Sequence, residues 1–179
     1  MGESGSGKTT LLNILAALDK PTSGEVLLEG KSLSAVKEKE MAAFRRDNLG
    51  FVFQDFNLLD TFSLQDNIFL PLVLAGKGHT EMKQRLEPIA KKLGITQLLG
   101  KYPYEVSGGQ KQRAAVACAL ITNSKLVLAD EPTGNLDEDT AKDIVDIFKR
   151  LAHEQDKCVI VVTHSKELAG EADEVVVLL

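Results

Sequence analysis

The chain has 179 residues, of which 44% are apolar and 26% are charged, a composition typical of one globular domain with a sizeable core. Its net charge of −5 disfavours a nucleic-acid scaffold, since such surfaces are usually basic, although a local basic patch is compatible with this total. The longest apolar runs have the length of strands, and no signal peptide is recognisable. We therefore expect a cytosolic protein in which Cys118 and Cys158 are buried free thiols.

Apolar runs and helix-breaking residues divide the chain into alternating elements with a helical stretch between them. In chain order we expect a helix at 9–18, strands at 25–29 and 49–53, a helix capped by Thr80 and stopped by Gly94, a helix from about 110 to 122, a strand at 126–129, a helix at 137–152, and strands at 158–162 and 175–179. Continuous apolar strands that alternate with helices predict an α/β fold with a mostly parallel sheet flanked by helices. We expect one domain over 1–179, with a core at about 1–54 and 124–179 and an inserted α-helical subdomain at about 55–123.

A glycine-rich loop stands before the first predicted helix, where Gly2 is followed after four residues by Gly7, Lys8 and Thr9. Glycines let backbone N–H groups curl around phosphates, and the helix start adds a positive end. Lys8 would neutralise the β- and γ-phosphates, and the Thr9 hydroxyl would bind Mg²⁺. The predicted nucleotide-binding residues here are Gly2, Glu3, Ser4, Gly5, Ser6, Gly7, Lys8, Thr9 and Thr10. The alternative is a disordered Gly/Ser-rich segment.

Two further stretches carry groups suited to phosphate chemistry. The buried strand at 126–129 ends in Asp130 and Glu131, at the sheet edge where open α/β sheets bind ligands. Asp130 would hold Mg²⁺ through water, and Glu131 would polarise an attacking water; alternatively, both acids only begin the turn that follows. The stretch 107–110, Ser-Gly-Gly-Gln, opens a helix and offers a second anion-binding helix start, or else a plain Ser cap.

The stretch VSGGQKQR at 106–113 resembles the signature motif of the ATP-binding cassette (ABC) ATPases. Once this family is considered, Gln54 is similar to its Q-loop glutamine, 134–137 to its D-loop and His164 to its switch histidine. Taken singly, a Gln or His after a strand is usually a surface or capping residue. All these elements come in the family's order, and the resemblance runs from Gly2 almost to Leu179.

The resemblance implies a P-loop NTPase fold and a pair of cassettes that sandwich two ATP molecules head to tail. Ser107, Gly108 and Gly109 are expected to touch the γ-phosphate bound by Lys8 of the partner cassette, and Gln110 and Asp137 are further expected nucleotide-binding residues. In-line attack of water on the γ-phosphate would use Glu131 as general base, His164 as a brace and Gln54 as a sensor. The residues expected at Mg²⁺ are Thr9, Gln54 and Asp130.

Within the family, the chain resembles the branch that holds lipoprotein-release, macrolide-export and bacitracin-type peptide-resistance systems. Neither the coiled-coil insertion of DNA-repair relatives nor the second cassette of translation relatives is present. The stretch at 56–72, FNLLDTFSLQDNIFLPL, is most similar to the bacitracin-type group. We expect an ATPase that powers export of, or resistance to, peptides, antibiotics or lipoprotein-type substrates, held at the inner face of the membrane by a transmembrane permease. The alternatives are a regulatory nucleotide-binding module and an inactive fragment.

A cluster of apolar residues in that stretch would receive a coupling helix of the permease: Phe56, Leu58, Leu59 and Phe62. The alternative is that these residues pack under the helical subdomain. The chain also departs from the family, because Cys118 stands where this branch usually has Arg. The family's strand before the phosphate loop, an earlier antiparallel strand and an adenine-stacking aromatic are missing. We therefore expect a truncation or a misplaced start, with incomplete N-terminal β-structure and weak ATP binding.

Overall fold

The computed structural model describes residues 1–2 and 5–178. Its helices are α1 Lys8–Leu15, α2 Glu38–Asn48, α3 Leu64–Leu74, α4 His79–Lys92, α5 Gly108–Leu120, α6 Glu138–Gln155 and α7 Lys166–Gly170. Its strands are β1 Leu27–Leu28, β2 Lys31–Ser32, β3 Leu49–Val52, β4 Leu126–Asp130 and β5 Cys158–Val162. Short 3-10 turns lie at Leu33–Ala35, Thr96–Leu98 and Pro103–Glu105. Within the described ranges no helix combines the length and the apolarity needed to cross a bilayer.

A parallel sheet in the order β3-β4-β5 forms the centre of the fold. The register pairs Leu126 with Leu49 on one side and with Cys158 on the other, so the carboxyl ends of the three strands meet at one edge. Alternate residues of β4 face opposite layers: Leu126 and Leu128 pack with α1, whereas Val127 and Ala129 join the core shared with α3–α6. The predicted α/β fold with a parallel sheet is confirmed.

The region between β3 and β4 is helical, as predicted. Helices α3, α4 and α5 bury one apolar core, which continues without a break into α6. Fully buried members of this core include Leu64, Ile68, Leu72, Ala90 and Val116. The division into a core and an inserted subdomain, with limits near 55 and 123, stays a prediction.

Several predicted boundaries are wrong, for local reasons. Helix α1 ends at Leu15, because Ala17 has a φ of 54° and leaves the helical region. The strand predicted at 25–29 is reduced to β1, which turns back at once into β2. Thr80 is not a cap, because α4 begins at His79 with Gly78 as its N-cap. Gly94, at a φ of 65°, does lie where α4 ends.

The strand predicted at 175–179 is not formed over 175–178, and Leu179 lies outside the described residues. The Met1 amino group donates to the carbonyl of Val176 at 2.7 Å, and the amide of Leu178 donates to the carbonyl of Met1 at 2.8 Å. Two bonds around one residue have the pattern of a parallel pairing but do not extend into a ladder.

The two cysteines differ in exposure. Cys118 packs against the main core from α5, and burial raises the pKa of its thiol to about 12. Cys158 is exposed, because it is the first residue of β5 at the edge of the described sheet. The expectation of two buried thiols is therefore wrong for Cys158.

Candidate functional site

A cleft opens at the carboxyl edge of the parallel sheet, where the start of α1 faces the ends of β3, β4 and β5. Its volume is about 630 Å³, within the range of small-molecule sites. The lining residues are Gly5, Gly7, Lys8, Thr9, Thr10, Gln54, Asp130, Glu131 and His164. Residues predicted from four separate parts of the chain therefore come together in one cleft.

The glycine-rich loop enters α1 through left-handed glycines. Gly5 and Gly7 have φ values of 87° and 85°, which a side chain would make unfavourable. The Lys8 ammonium donates to the carbonyl of Gly2 at 2.8 Å, across the loop. The Ser6 hydroxyl is buried and has no hydrogen-bond partner among the described residues. Glu3 and Ser4, also predicted to bind nucleotide, lie outside the described residues.

Thr9 and Asp130 face each other across the cleft, with the Thr9 hydroxyl donating to Asp130 Oδ2 at 3.4 Å. Burial raises the pKa of the Asp130 carboxyl, the bond from Thr9 opposes this, and the neighbouring charge of Glu131 adds to it. A hydroxyl and a carboxylate are hard oxygen donors of the kind Mg²⁺ prefers. The residues present therefore fit a Mg²⁺ ion that these two side chains would share with phosphate oxygens.

Glu131 is attached to the end of β5 by both its main chain and its side chain. Its φ of 44° is left-handed, and its amide donates to the carbonyl of Val162 at 2.9 Å. Its Oε2 accepts from the Thr163 hydroxyl at 2.9 Å. Its Oε1 accepts from the His164 amide at 2.9 Å and lies 2.7 Å from His164 Nδ1. The structure thus brings the predicted base and the predicted switch histidine into direct contact.

Gln54 lines the cleft, but its side chain is directed at the segment 134–137. Its Nε2 lies 3.5 Å from Asn135 Oδ1. Nδ2 of Asn135 in turn donates to the backbone carbonyl of Gln54 and to Asp55 Oδ1, both at 3.2 Å. The predicted Q-loop and D-loop residues therefore meet each other in this chain.

The signature stretch lies outside this cleft. Ser107 Oγ accepts from the Gln110 amide at 3.3 Å, and Gln110 Oε1 accepts from the Ser107 amide at 3.0 Å, so the two form a reciprocal cap of α5. Asp137 caps α6 by accepting from the backbone amide and the hydroxyl of Thr140, and these bonds lower the pKa of its carboxyl. None of Ser107, Gly108, Gly109, Gln110 and Asp137 lines the cleft that holds Lys8.

Two buried polar residues near the site were missed by the sequence analysis. Thr163 is 3% exposed and contacts Glu131. Gln112 is fully buried, donates to the carbonyl of Pro132 at 2.7 Å, and has an Oε1 without a partner among the described residues. Gln112 shares a helix face with the core residues Ala115 and Val116, and a glutamine at such a core position is the signal that could have found it.

The apolar stretch at 56–62 is divided between core and surface. Leu58 packs against the main core, as the alternative interpretation expected, and Phe56 is partly buried. Leu59 and Phe62 are 46% and 40% exposed, as the docking interpretation expected. Buried Asn67 fixes their loop: its Oδ1 accepts from the Leu59 amide, and its Nδ2 lies within bonding distance of the carbonyls of Leu59, Phe62 and Ser63.

Residues 1–134 match the model of the ABC transporter family. The chain belongs to the ABC transporter family. The uncharacterized ABC transporter ATP-binding protein YvcR of Bacillus subtilis is 51% identical over 176 residues, which are 98% of this chain and 68% of YvcR. The bacitracin export ATP-binding protein BceA of Halalkalibacterium halodurans is 43% identical over 176 residues, which are 98% of this chain and 70% of BceA.

Solved ABC cassettes have the same fold. One is the dimeric structure of MJ0796, a bacterial ABC transporter cassette. The match covers 99% of this chain and 78% of the MJ0796 chain, with a TM-score of 0.87 and 40% sequence identity. MJ0796 has also been solved as a dimer in a post-hydrolysis state bound to ADP and Pi, with a TM-score of 0.87 and 39% identity. The predicted P-loop NTPase fold and the predicted ATPase function of an ABC transporter subunit are confirmed.

Proposed function

We propose that this ABC cassette hydrolyses ATP in the cleft at the sheet edge and powers the export of peptides or antibiotics. One observation carries the catalytic part: the Glu131 carboxylate lies 2.7 Å from His164 Nδ1 in the cleft that Lys8 and Thr9 also line. The bacitracin export protein BceA, at 43% identity, supports the substrate class.

The residues of the cleft divide the chemistry among them. Lys8 and the loop amides bind the phosphates, and Thr9 and Asp130, with Gln54 nearby, would hold Mg²⁺. When bound, Mg²⁺ would offset the negative charge of the phosphates. Water attacks the γ-phosphorus as the bond to the bridging oxygen of the leaving ADP breaks, and Glu131 accepts the proton of that water. His164 supports the γ-phosphate.

A second copy of the chain completes the site. Ser107 is the N-cap of the 13-residue helix α5, and the start of this helix offers amide groups and a partial positive charge. This helix start does not face the cleft of its own chain, and a head-to-tail pair would place it over the phosphates held by the partner's Lys8. Such a pair is symmetric and has two equal sites. The dimers of MJ0796 support this arrangement.

A transmembrane permease subunit is the proposed membrane partner, which would hold the cassette at the cytoplasmic face. Leu59 and Phe62 expose apolar surface on a loop that is fixed from below by Asn67. An exposed apolar pair on a rigid loop suits docking of an apolar helix face. Exchange of both residues for Ser should weaken permease binding and leave the ATPase rate of the isolated chain unchanged.

The central test compares the ATPase rate and the solution mass of the parent and of Glu131→Gln. The parent should hydrolyse Mg-ATP, whereas Glu131→Gln should lose about 10²–10⁴-fold in rate and should double its mass by light scattering when Mg-ATP is added. Ser107→Glu is the matched control, since it adds a negative charge beside the partner's γ-phosphate and should keep Glu131→Gln monomeric. A monomer with and without Mg-ATP would overturn the composite site.

Export is tested separately in the cell that encodes the chain. Glu131→Gln there should lower the inhibitory concentration of bacitracin or of a macrolide severalfold. Unchanged resistance to both compounds would contradict the assigned substrate class and would leave the ATPase assignment standing.

A further inference from the structure

Thr163 is a buried hydroxyl whose hydrogen-bond directions are fixed. It follows β5 directly and is 3% exposed. Its Oγ1 accepts from the amide of Ser165 at 3.0 Å and lies 2.9 Å from Oε2 of Glu131. An ionised carboxylate can only accept, so the single proton of the Thr163 hydroxyl points to Glu131.

The two carboxylate oxygens of Glu131 are held by neighbours of different freedom. Oε1 accepts from the backbone amide of His164 at 2.9 Å and lies 2.7 Å from Nδ1 of its ring, and this side chain is 73% exposed and can therefore turn. Among the described residues, Oε2 is hydrogen-bonded only to the Thr163 hydroxyl, and that hydroxyl belongs to a buried side chain. When the His164 ring turns to a γ-phosphate, Oε1 loses one contact and can accept the proton of a water. Oε2 stays anchored.

The main chain supports the same anchor. Glu131 has a left-handed φ of 44°, which is unfavourable for a residue with a side chain, and its amide is bonded to the carbonyl of Val162 at 2.9 Å. Bonds to the consecutive residues Val162 and Thr163 therefore fix both the backbone and the carboxylate of Glu131 to the end of β5. A general base that accepts a proton from one positioned water must be held in a fixed orientation, and these bonds supply that restraint.

We propose that Thr163 is a positioning residue that orients the Glu131 carboxylate for proton transfer from the attacking water. The proposal rests on the proposed role of Glu131 as general base. Thr163 acts through Glu131 and does not itself contact nucleotide.

The test removes the hydroxyl and then restores it. Thr163→Val keeps the shape of the side chain and should lower kcat by about 10–100-fold, the share expected for a lost hydrogen bond to a charged group. KM for ATP should stay close to the parent value, because no nucleotide contact is removed. Tm should fall by about 2–8 °C, because the Ser165 amide loses its acceptor and Glu131 loses a donor. Thr163→Ser keeps the hydroxyl and should return kcat to within about threefold of the parent.

Two further variants separate positioning from a general structural effect. Ser165→Ala removes the side-chain cap of α7 but keeps the Ser165 amide that bonds Thr163, so it should retain the parent kcat. In the Glu131→Gln background, Thr163→Val should cause no further loss, because its effect passes through the carboxylate.

The outcomes also distinguish this proposal from the one on which it rests. If Thr163→Val keeps the kcat of the parent while Glu131→Gln is inactive, the positioning role of Thr163 is overturned and the role of Glu131 stands. If Thr163→Val and Thr163→Ser both lower Tm and ATP affinity, the role of Thr163 is structural, and the positioning role is likewise overturned. If Glu131→Gln hydrolyses ATP like the parent, the assignment of the base fails, and the role of Thr163 fails with it.

Discussion

Gly109 packs against the first turn of α6 so closely that even a methyl group does not fit. A Cβ at this position would lie less than 3.0 Å from Cγ2 of Thr140 and 3.5 Å from its Oγ1. Thr140 cannot turn away without cost, because its hydroxyl donates to Asp137 Oδ2 at 2.8 Å as part of the cap of α6. We therefore expect Gly109→Ala to destabilise the fold, although alanine is the better helix former.

The magnitude follows from two opposing contributions. Replacing a helical glycine by alanine favours the helix by about 0.5–1 kcal/mol. Overpacking against a fixed neighbour costs about 1–3 kcal/mol, and turning Thr140 instead loses a hydrogen bond of about 0.5–1.5 kcal/mol. The balance is a loss of about 1–2 kcal/mol in the free energy of unfolding, or about 2–8 °C in Tm for a chain of this length.

Thermal unfolding of Gly109→Ala, Thr140→Ser and the double variant measures this clash. Thr140→Ser removes Cγ2 and keeps the hydroxyl that bonds Asp137, so the double variant should regain most of the loss. The coupling between the two changes should be about 1 kcal/mol. If Gly109→Ala raises Tm, or if the effects of the two single changes simply add, the contact with Thr140 does not restrict the size of the residue at position 109.

Three further changes test other parts of the fold. Gly50→Ala should cost about 3 kcal/mol in urea unfolding, because its Cβ would lie less than 3.0 Å from the backbone carbonyl of Ala119; no single side-chain truncation should rescue it, and a stable variant would contradict this packing. Burial raises the pKa of Asp130, so its ionised form disfavours the folded state, and the contribution of Asp130 to stability falls as pH rises through the acid range. Asp130→Asn should therefore raise the Tm of the nucleotide-free chain more at pH 7 than at pH 4 while abolishing ATP hydrolysis, and a Tm difference independent of pH would refute the burial argument. Gln112→Met should lower the free energy of unfolding by only about 1 kcal/mol, since loss of the bond to Pro132 is partly offset by removal of the Oε1 that has no partner among the described residues. A loss above about 3 kcal/mol in urea unfolding would show that the bond to Pro132 stabilises the fold more than this reasoning allows.

Elements with a continuous or periodic apolar pattern could be predicted from the sequence. Examples are the strands β4 and β5 and the helices α5 and α6. The carboxyl ends of the two strands bring Asp130, Glu131 and His164 to one edge of the sheet. The pattern failed for α2, which has no buried residue and therefore no apolar face to recognise. It also failed at 175–178, where apolar residues are present but a ladder is not.

Contacts between distant segments could not be predicted, because no local pattern encodes them. Thr163 and Glu131 are 32 positions apart, and Gln54 and Asn135 are 81 apart. Each pair is brought together only when the parallel strands align in register. The residue types therefore indicated the chemistry of the site, whereas the direction in which each side chain points depends on the assembled sheet.

The backbone of the loop that exposes Leu59 and Phe62 is held by Asn67, a buried residue of α3. Among the described residues, Asn67 bonds only main-chain atoms of this loop, so the backbone path does not depend on which side chains stand at 59 and 62. Under the proposed docking, these two side chains could be exchanged to match a different membrane protein without reshaping the loop. Under the same proposal, transporters of this design would acquire new pairings by surface substitution alone, while the ATPase core stays unchanged.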